Sequence, residues 1–327
     1  MIRKWWSTVD RAVFGYGSPF TMGVFRAIVG TLALVNYLML SIDFEAWFTE
    51  KGYYPVAWAT RWAEGIPRLN LLEGVTDTRV TAALYALMCL AALFTAAGLF
   101  TRVASIALFV LMTTFAHRSP DILHSGDTIL RQYVFLIALA PSGAAFSLDR
   151  LLALRKGTAP VEPALVSMWP QRLVQYQLAI VYFTTVWHKA AGDKWWNGTA
   201  VHFPWHLHEF DKFPVPPFLD TQPMVAVLTY GTIFIELALA TLVFARPLRK
   251  WVLLGGLMLH AGIEFTMNIP LFAFIICSGY ISHYDGEEVK AWFERVLTRL
   301  KLKPAEGMVT IAAASPVEPS PQEVPTH

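Results

Sequence analysis

Charge is what this sequence has least of. Only 15% of its 327 residues are Asp, Glu, Lys or Arg, against ~25% in an average soluble domain. The net charge is +2 and no basic run with interleaved aromatics occurs, which excludes a nucleic-acid-binding role. Cysteine is nearly absent. Cys89 and Cys277 are the two present, each inside an apolar run, so both read as small packing residues and no disulfide framework is expected. The first twenty residues lack a continuous apolar stretch, so no cleavable signal peptide is expected. Also missing are a Walker-type glycine loop, a dinucleotide fingerprint and a G-x-S-x-G elbow, which disfavours ATP-driven transport and serine hydrolysis. No tandem repeat is visible.

Apolar and aromatic side chains take the place of charge. Hydrophobic residues make up 55%, with 12 Trp and 22 Phe, and the mean hydropathy is +0.45. This is the composition of a membrane protein. A bilayer-spanning helix needs ~20 mostly apolar residues. Eight segments qualify as candidates, at 20–42, 79–99, 102–117, 127–141, 172–190, 223–245, 250–267 and 270–284. The segments 102–117, 127–141 and 270–284 are short, and the count falls to six or seven if some are tilted or re-entrant.

Lys and Arg concentrate in short loops on the cytoplasmic side. Placing the N-terminus inside, with Arg3, Lys4 and Arg11, also puts Arg102, Arg150, Arg155, Lys156, Arg246, Arg249, Lys250 and the basic C-terminal stretch inside. Eight spans and this bias agree. The predicted fold is therefore an all-α, multi-spanning transmembrane helical bundle of about eight spans, both termini cytoplasmic. Four regions are expected: an interfacial amphipathic segment at 1–18, the transmembrane domain at 19–284, a cytoplasmic amphipathic helix at 285–303 and a disordered tail at 304–327. The outer loops 43–78 and 191–222 are rich in Trp, Tyr and Pro and are expected to lie on the interface.

An ionisable side chain at mid-bilayer costs roughly 2.5 kcal/mol or more on insertion scales, so each needs a reason. With this topology, seven of the nine histidines lie toward the outer side, and only His283 and His327 are inside. Lys189 ends the fifth segment. It either snorkels to the headgroups or sits in a dry pocket as a base. His260 and Glu264 are one helical turn apart, so they form either a packing hydrogen bond or a carboxylate-oriented general base. Glu236 lies deeper, and Arg26 is its expected partner. His124, Asp127 and Arg131 share a stripe, with an Asp127–Arg131 ion pair as the default and an Asp127 cap as the alternative. His202, His206 and His208 suggest a metal, but Pro204 interrupts them and no H-E-x-x-H motif supports it. No metal site is assigned, and stacked interfacial contacts are expected there.

Three stretches together resemble the HTTM family, the membrane domain of vitamin K-dependent gamma-carboxylase and its bacterial relatives. The first is His124-Ser-Gly-Asp127-Thr-Ile-Leu-Arg131, running on through Ala140-Pro141 to Ser147-Leu148-Asp149-Arg150. The second is Tyr182-Phe183-Thr-Thr-Val-Trp-His188-Lys189, then Trp195-Trp-Asn-Gly198-Thr199-Ala200. The third is Glu236-Leu237 followed by Leu259-His260-x-x-Ile263. The likeness covers most of residues 15–285. It implies that Lys189 matches the lysine that deprotonates reduced vitamin K at the lumenal face, with His188 where the relative has a second lysine. The spacing to Trp195-x-x-Gly198 is one residue longer here.

The carboxylase also carries a large lumenal domain that presents its peptide substrate. This chain continues into one short helix and a tail, so glutamate carboxylation is not implied. What the resemblance implies is a membrane pocket for a quinol-like or lipid ligand. Lys189, His260 and Glu264 would be its catalytic groups. His124, Asp127, Arg131, His188 and Trp195 would be its ligand-binding groups, and a reduced, vitamin K-like quinone its cofactor. The alternative is a non-enzymatic membrane binding or maturation partner for an exported protein, working with a separately encoded partner. A secondary transporter fits less well, because the polar groups gather on one side.

Overall fold

The computed structural model describes residues 10, 13–62 and 64–300. The tail at 304–327 and residues 1–9 and 11–12 of the expected 1–18 interfacial segment lie outside them. The described chain is helical apart from a two-stranded antiparallel pairing of Tyr16–Gly17 with Val166–Ser167 and one isolated bridge.

Long apolar runs make the principal helices. They are α1 (Phe20–Leu40), α2 (Thr78–Ala97), α3 (Thr101–Arg118), α4 (Ser125–Leu139), α5 (Trp169–Ala190), α6 (Gln222–Ala240), α7 (Arg246–Thr266) and α8 (Phe272–Ser278). A 3₁₀ turn at Gly279–His283 prolongs α8, and α9 (Gly286–Arg299) follows. Among the described residues, three stretches are long and apolar enough to cross a bilayer: Phe20–Phe48, Thr78–Ala97 and Gln222–Ala240.

Large apolar side chains point away from the bundle. Val103 is 71% exposed, Met258 68%, Val227 64% and Phe234 63%. An apolar exterior on this scale is unfavourable in water and stable against lipid chains.

Polar and small residues set the interior contacts. α1 and α2 approach closely at Gly30, where an added Cβ would lie 2.5 Å from the Ala96 nitrogen. α2 ends at Gly98, whose φ of 69° suits a glycine C-cap. Arg26 is fully buried beside it. Its guanidinium donates to the carbonyls of Ser142, Thr95, Ala96 and Phe146. Arg26 therefore does not pair with Glu236. It has four main-chain acceptors nearer at hand, and these tie α1 to the ends of α2 and α4.

At the other end of the bundle, the stretch after α1 folds into short helices at Phe44–Phe48 and Val56–Trp62. Phe48 buries against Tyr85 and Phe115. Arg118, also buried, donates to Tyr54 O at 2.6 Å and Thr49 O at 3.0 Å. Part of this loop thus packs into the bundle, while Tyr53 and Trp58 remain exposed. The amphipathic helix is α9, started by an Asp285/Glu288 capping box. Its Val289 and Phe293 pack with Phe20 and Phe146.

Candidate functional site

On α5, Tyr182, Thr185 and Lys189 recur at helical spacing and share one face. That face meets α6 and α7. The Lys189 Nζ donates to both Glu236 oxygens at 2.5 Å, and Thr185 Oγ1 donates to Glu236 Oε2 at 3.2 Å. The lysine side chain is 20% exposed and the glutamate 9%. Lys189 therefore does not snorkel to a membrane surface; its charge is met inside the protein.

The helix register explains how. Glu236 lies one turn before the end of α6, whereas Lys189 lies in the last turn of α5. The chain after α5 climbs along the remaining length of α6. Tyr230 Oη donates to Trp196 O at 2.7 Å, and Val201 N to Thr229 Oγ1 at 3.3 Å. Trp195, in the short helix Asp193–Trp196, sits with its ring centroid 5.1 Å from Lys189 Nζ, within cation–π range. The pair is thereby roofed by its own following loop.

Two turns back along α5, about 10 Å by helical rise, Tyr182 Oη lies 2.8 Å from His260 Nε2 and 2.6 Å from Tyr280 Oη. All three residues are buried. The Nδ1 of His260 has no hydrogen-bond partner. An unmet buried polar atom costs ~1–3 kcal/mol, so it is a position where a water or polar ligand atom gains a bond.

Glu264 does not orient His260. Its Oε1 accepts from Lys212 Nζ at 2.6 Å, and its Oε2 is buried without a partner. The two residues share a helix face, but the tyrosine hydroxyl from α5 reaches the imidazole first.

His124 and Asp127 form the capping box of α4. The Asp127 carboxylate accepts from His124 N at 3.0 Å, while the His124 ring accepts from Gly126 N at 3.0 Å. Asn36 of α1 donates to the other Asp127 oxygen at 3.0 Å. Among the described residues no ion pair joins Asp127 to Arg131; the cap replaces it. Phe272 stands between this turn and His260, its ring centroid 5.6 Å from the imidazole. His188 is exposed and takes no part in the Lys189 contact.

The candidate residues thus fall into three groups. Lys189 and Trp195 are together, with Glu236 and Thr185. His260 stands with Tyr182 and Tyr280. His124 and Asp127 make a helix start. The sequence reading missed Tyr280 and gave Glu236 the wrong cationic partner, Arg26 in place of Lys189. An intramembrane carboxylate called for a cation, and both Arg26 and Lys189 qualified by type. Only the register between α5 and α6 chooses.

An apolar-skinned helical body enclosing a lysine–glutamate pair defines a membrane protein. It belongs to the HTTM domain family, whose profile matches residues 18–284. Among curated proteins it is similar to the uncharacterized protein YitO of Bacillus subtilis (strain 168), 25% identical over 146 residues. That match covers 41% of this chain and 46% of the relative, so this chain spans less than half of the relative's length. No solved structure matches.

Proposed function

We propose that this is a multi-pass enzyme of the bacterial inner membrane, with about eight spans and both termini cytoplasmic. It would begin base-initiated chemistry on a quinol-like or lipid ligand at the outer face. The observation that carries the reading is the Lys189–Glu236 pair, enclosed by helices and roofed by Trp195. In a dry site, ammonium–carboxylate and amine–carboxylic acid are two placements of one proton on a coupled pair. When the proton sits on Glu236, Lys189 Nζ carries a free electron pair. It can then take the proton of an acidic hydroxyl, leaving the ligand oxygen as an anion beside the new ammonium. Thr185 orients the carboxylate through its 3.2 Å contact.

A reduced naphthoquinone suits such a site on chemical grounds, having acidic hydroxyls on an apolar body. A cavity of about 750 Å³ runs from Tyr280 past Leu253 and Leu257 to Glu288, Trp292 and Arg295 of α9, on the cytoplasmic side of Lys189 in the proposed topology, and has room for the apolar tail of such a ligand rather than its head. The hydroxyl of Tyr280 links that cavity to Tyr182 and His260.

One feature favours a second reading, a non-enzymatic membrane binding or maturation protein with a separately encoded partner. Both Glu236 oxygens hold the lysine, an arrangement that a purely structural ion pair between two helices would share. One experiment separates the two. Protein purified in detergent is extracted, and its small molecules are identified by mass spectrometry. Oxygen-dependent oxidation of a prenylated naphthohydroquinone is then followed in proteoliposomes. The enzyme reading expects a retained quinone, turnover by the native protein and its loss in Lys189→Ala and Glu236→Gln. A retained phospholipid or co-purifying protein, with no turnover, sinks it in favour of the second.

A further inference from the structure

We infer that His202, His206 and Asp220 form a binding site for a divalent transition-metal ion of the zinc class. The three residues come from separate turns of the loop between α5 and α6. The 3₁₀ turns Ala200–His202 and Pro204–His206 bring the imidazoles together, with ring centroids 4.1 Å apart. Pro204 breaks the regular helix that the spacing suggests, yet it begins the turn that carries His206. Asp220 closes the group from eighteen residues beyond His202, which is why histidine spacing gave no metal motif.

The hydrogen bonding points to a cation. His206 Nδ1 lies 2.8 Å from His202 O, and a carbonyl only accepts, so Nδ1 carries the proton. In the neutral ring Nε2 then presents a lone pair. That atom faces Asp220 Oδ2 at 3.3 Å, setting two acceptors against each other. Either the ring is protonated or a cation belongs between them.

The separation fits a metal. Bonds of ~2.0–2.1 Å at a tetrahedral centre place neighbouring donors about 3.3 Å apart. His202 Nδ1 is 2.8 Å from Asp220 Oδ1, and one donor atom from each residue lies within 4.8 Å of the others. Closing this set onto an ion needs only local side-chain rotation. When His202 Nδ1 becomes a ligand, its proton moves to Nε2, so the ring stays neutral. The bond from His206 Nδ1 to a carbonyl is the outer-shell contact that fixes a ligating imidazole.

The donor set leaves a fourth position open, and beside it lies a cavity of about 420 Å³ lined in part by His206, Asp220, Lys212 and Trp205. Lys212 is anchored to Glu264, and the residue before it pairs with the end of α7 through the Asp211–Met267 bridge. His208 is not part of the site. It faces Asp211 and its side chain is 99% exposed.

The test uses the full chain carrying a non-histidine tag, chelator-treated in detergent. It is titrated with Zn²⁺, read by elemental mass spectrometry, and with Co²⁺, read by visible d–d absorption. One equivalent with a tetrahedral cobalt spectrum is expected. His206→Ala and Asp220→Asn should weaken binding by more than the ~10–100-fold of an outer-shell loss, while His208→Ala leaves it unchanged. In the native chain, bound zinc should shield His202 and His206 from diethyl pyrocarbonate, which locates the site even if a variant aggregates. No stoichiometric, chelator-reversible binding, or no shielding, overturns the proposal and leaves a protonated His206 paired with Asp220.

Discussion

A buried arginine and a half-buried lysine in this protein are neutralised in opposite ways. Arg26 is fully enclosed and faces four main-chain carbonyls from two separate stretches of chain. Lys189 faces one carboxylate. Carbonyl dipoles are fixed and cannot accept a proton, so a guanidinium held by them is permanently charged and acts as a staple. A carboxylate titrates, so a lysine held by one keeps an exchangeable proton. The difference separates a cation that the fold depends on from the pair on which the proposed chemistry rests. Arg118, held by Tyr54 O and Thr49 O, repeats the staple at the opposite end.

The comparison predicts its largest effect at Arg26. Arg26→Met takes the side-chain donor from the Ser142, Ala96 and Phe146 carbonyls, Thr95 O keeping its bond from Gly98 N; at ~1–3 kcal/mol for each buried group, the loss approaches the whole stability of a typical domain. The variant should fail to accumulate as a monodisperse species in size-exclusion chromatography. No single compensating substitution should restore it, because its partners are backbone. Near-native thermal stability would break the distinction at its root.

Lys189 should behave differently. Lys189→Met alone strands a buried carboxylate and should cost roughly 3–5 kcal/mol. Lys189→Met combined with Glu236→Leu removes both charges and should recover most of that loss in a thermal unfolding assay, while abolishing turnover. Recovery of stability without recovery of activity is the outcome that marks the pair as functional. A double variant as unstable as the single one would place Glu236 in the same structural class as the carbonyls around Arg26.

The sequence announced the helices well, because a lipid-facing helix advertises itself by an unbroken apolar run. The segments 20–42, 79–99 and 223–245 meet helices Phe20–Leu40, Thr78–Ala97 and Gln222–Ala240. Depth was less legible. Lys189 reads as a helix end, which it is, but the neighbouring α6 continues past it and buries it. That depends on the offset between two helices, which neither helix encodes alone. The same blindness assigned Arg26 to Glu236 and Glu264 to His260. Side-chain type named the need for a partner, and tertiary register chose it. Asp127 was legible as a cap because capping is local, whereas Asp220 depended on where a loop returned.

Smaller effects test how far the Lys189 region extends. Tyr182→Phe removes one hydroxyl and deprives both His260 Nε2 and Tyr280 Oη of a partner. It should cost ~1–3 kcal/mol and reduce quinone retention if the chain from Tyr280 to His260 serves the ligand. Unchanged retention with the same stability loss would confine these residues to packing.

The smallest effect is expected one residue from the lysine. His188 is exposed, about 100° around α5 from Lys189, and surface substitutions away from special features stay within ~0.5 kcal/mol. His188→Ala should therefore leave both melting temperature and naphthohydroquinone oxidation unchanged, although His188 occupies the position of a second lysine in the carboxylase motif it resembles. A loss of activity at native stability would show that the site reaches around the helix. It would also mean that the proton of Lys189 leaves through His188 rather than through Glu236, and the contrast with Arg26 would then rest on an exit route as well as on a titratable partner.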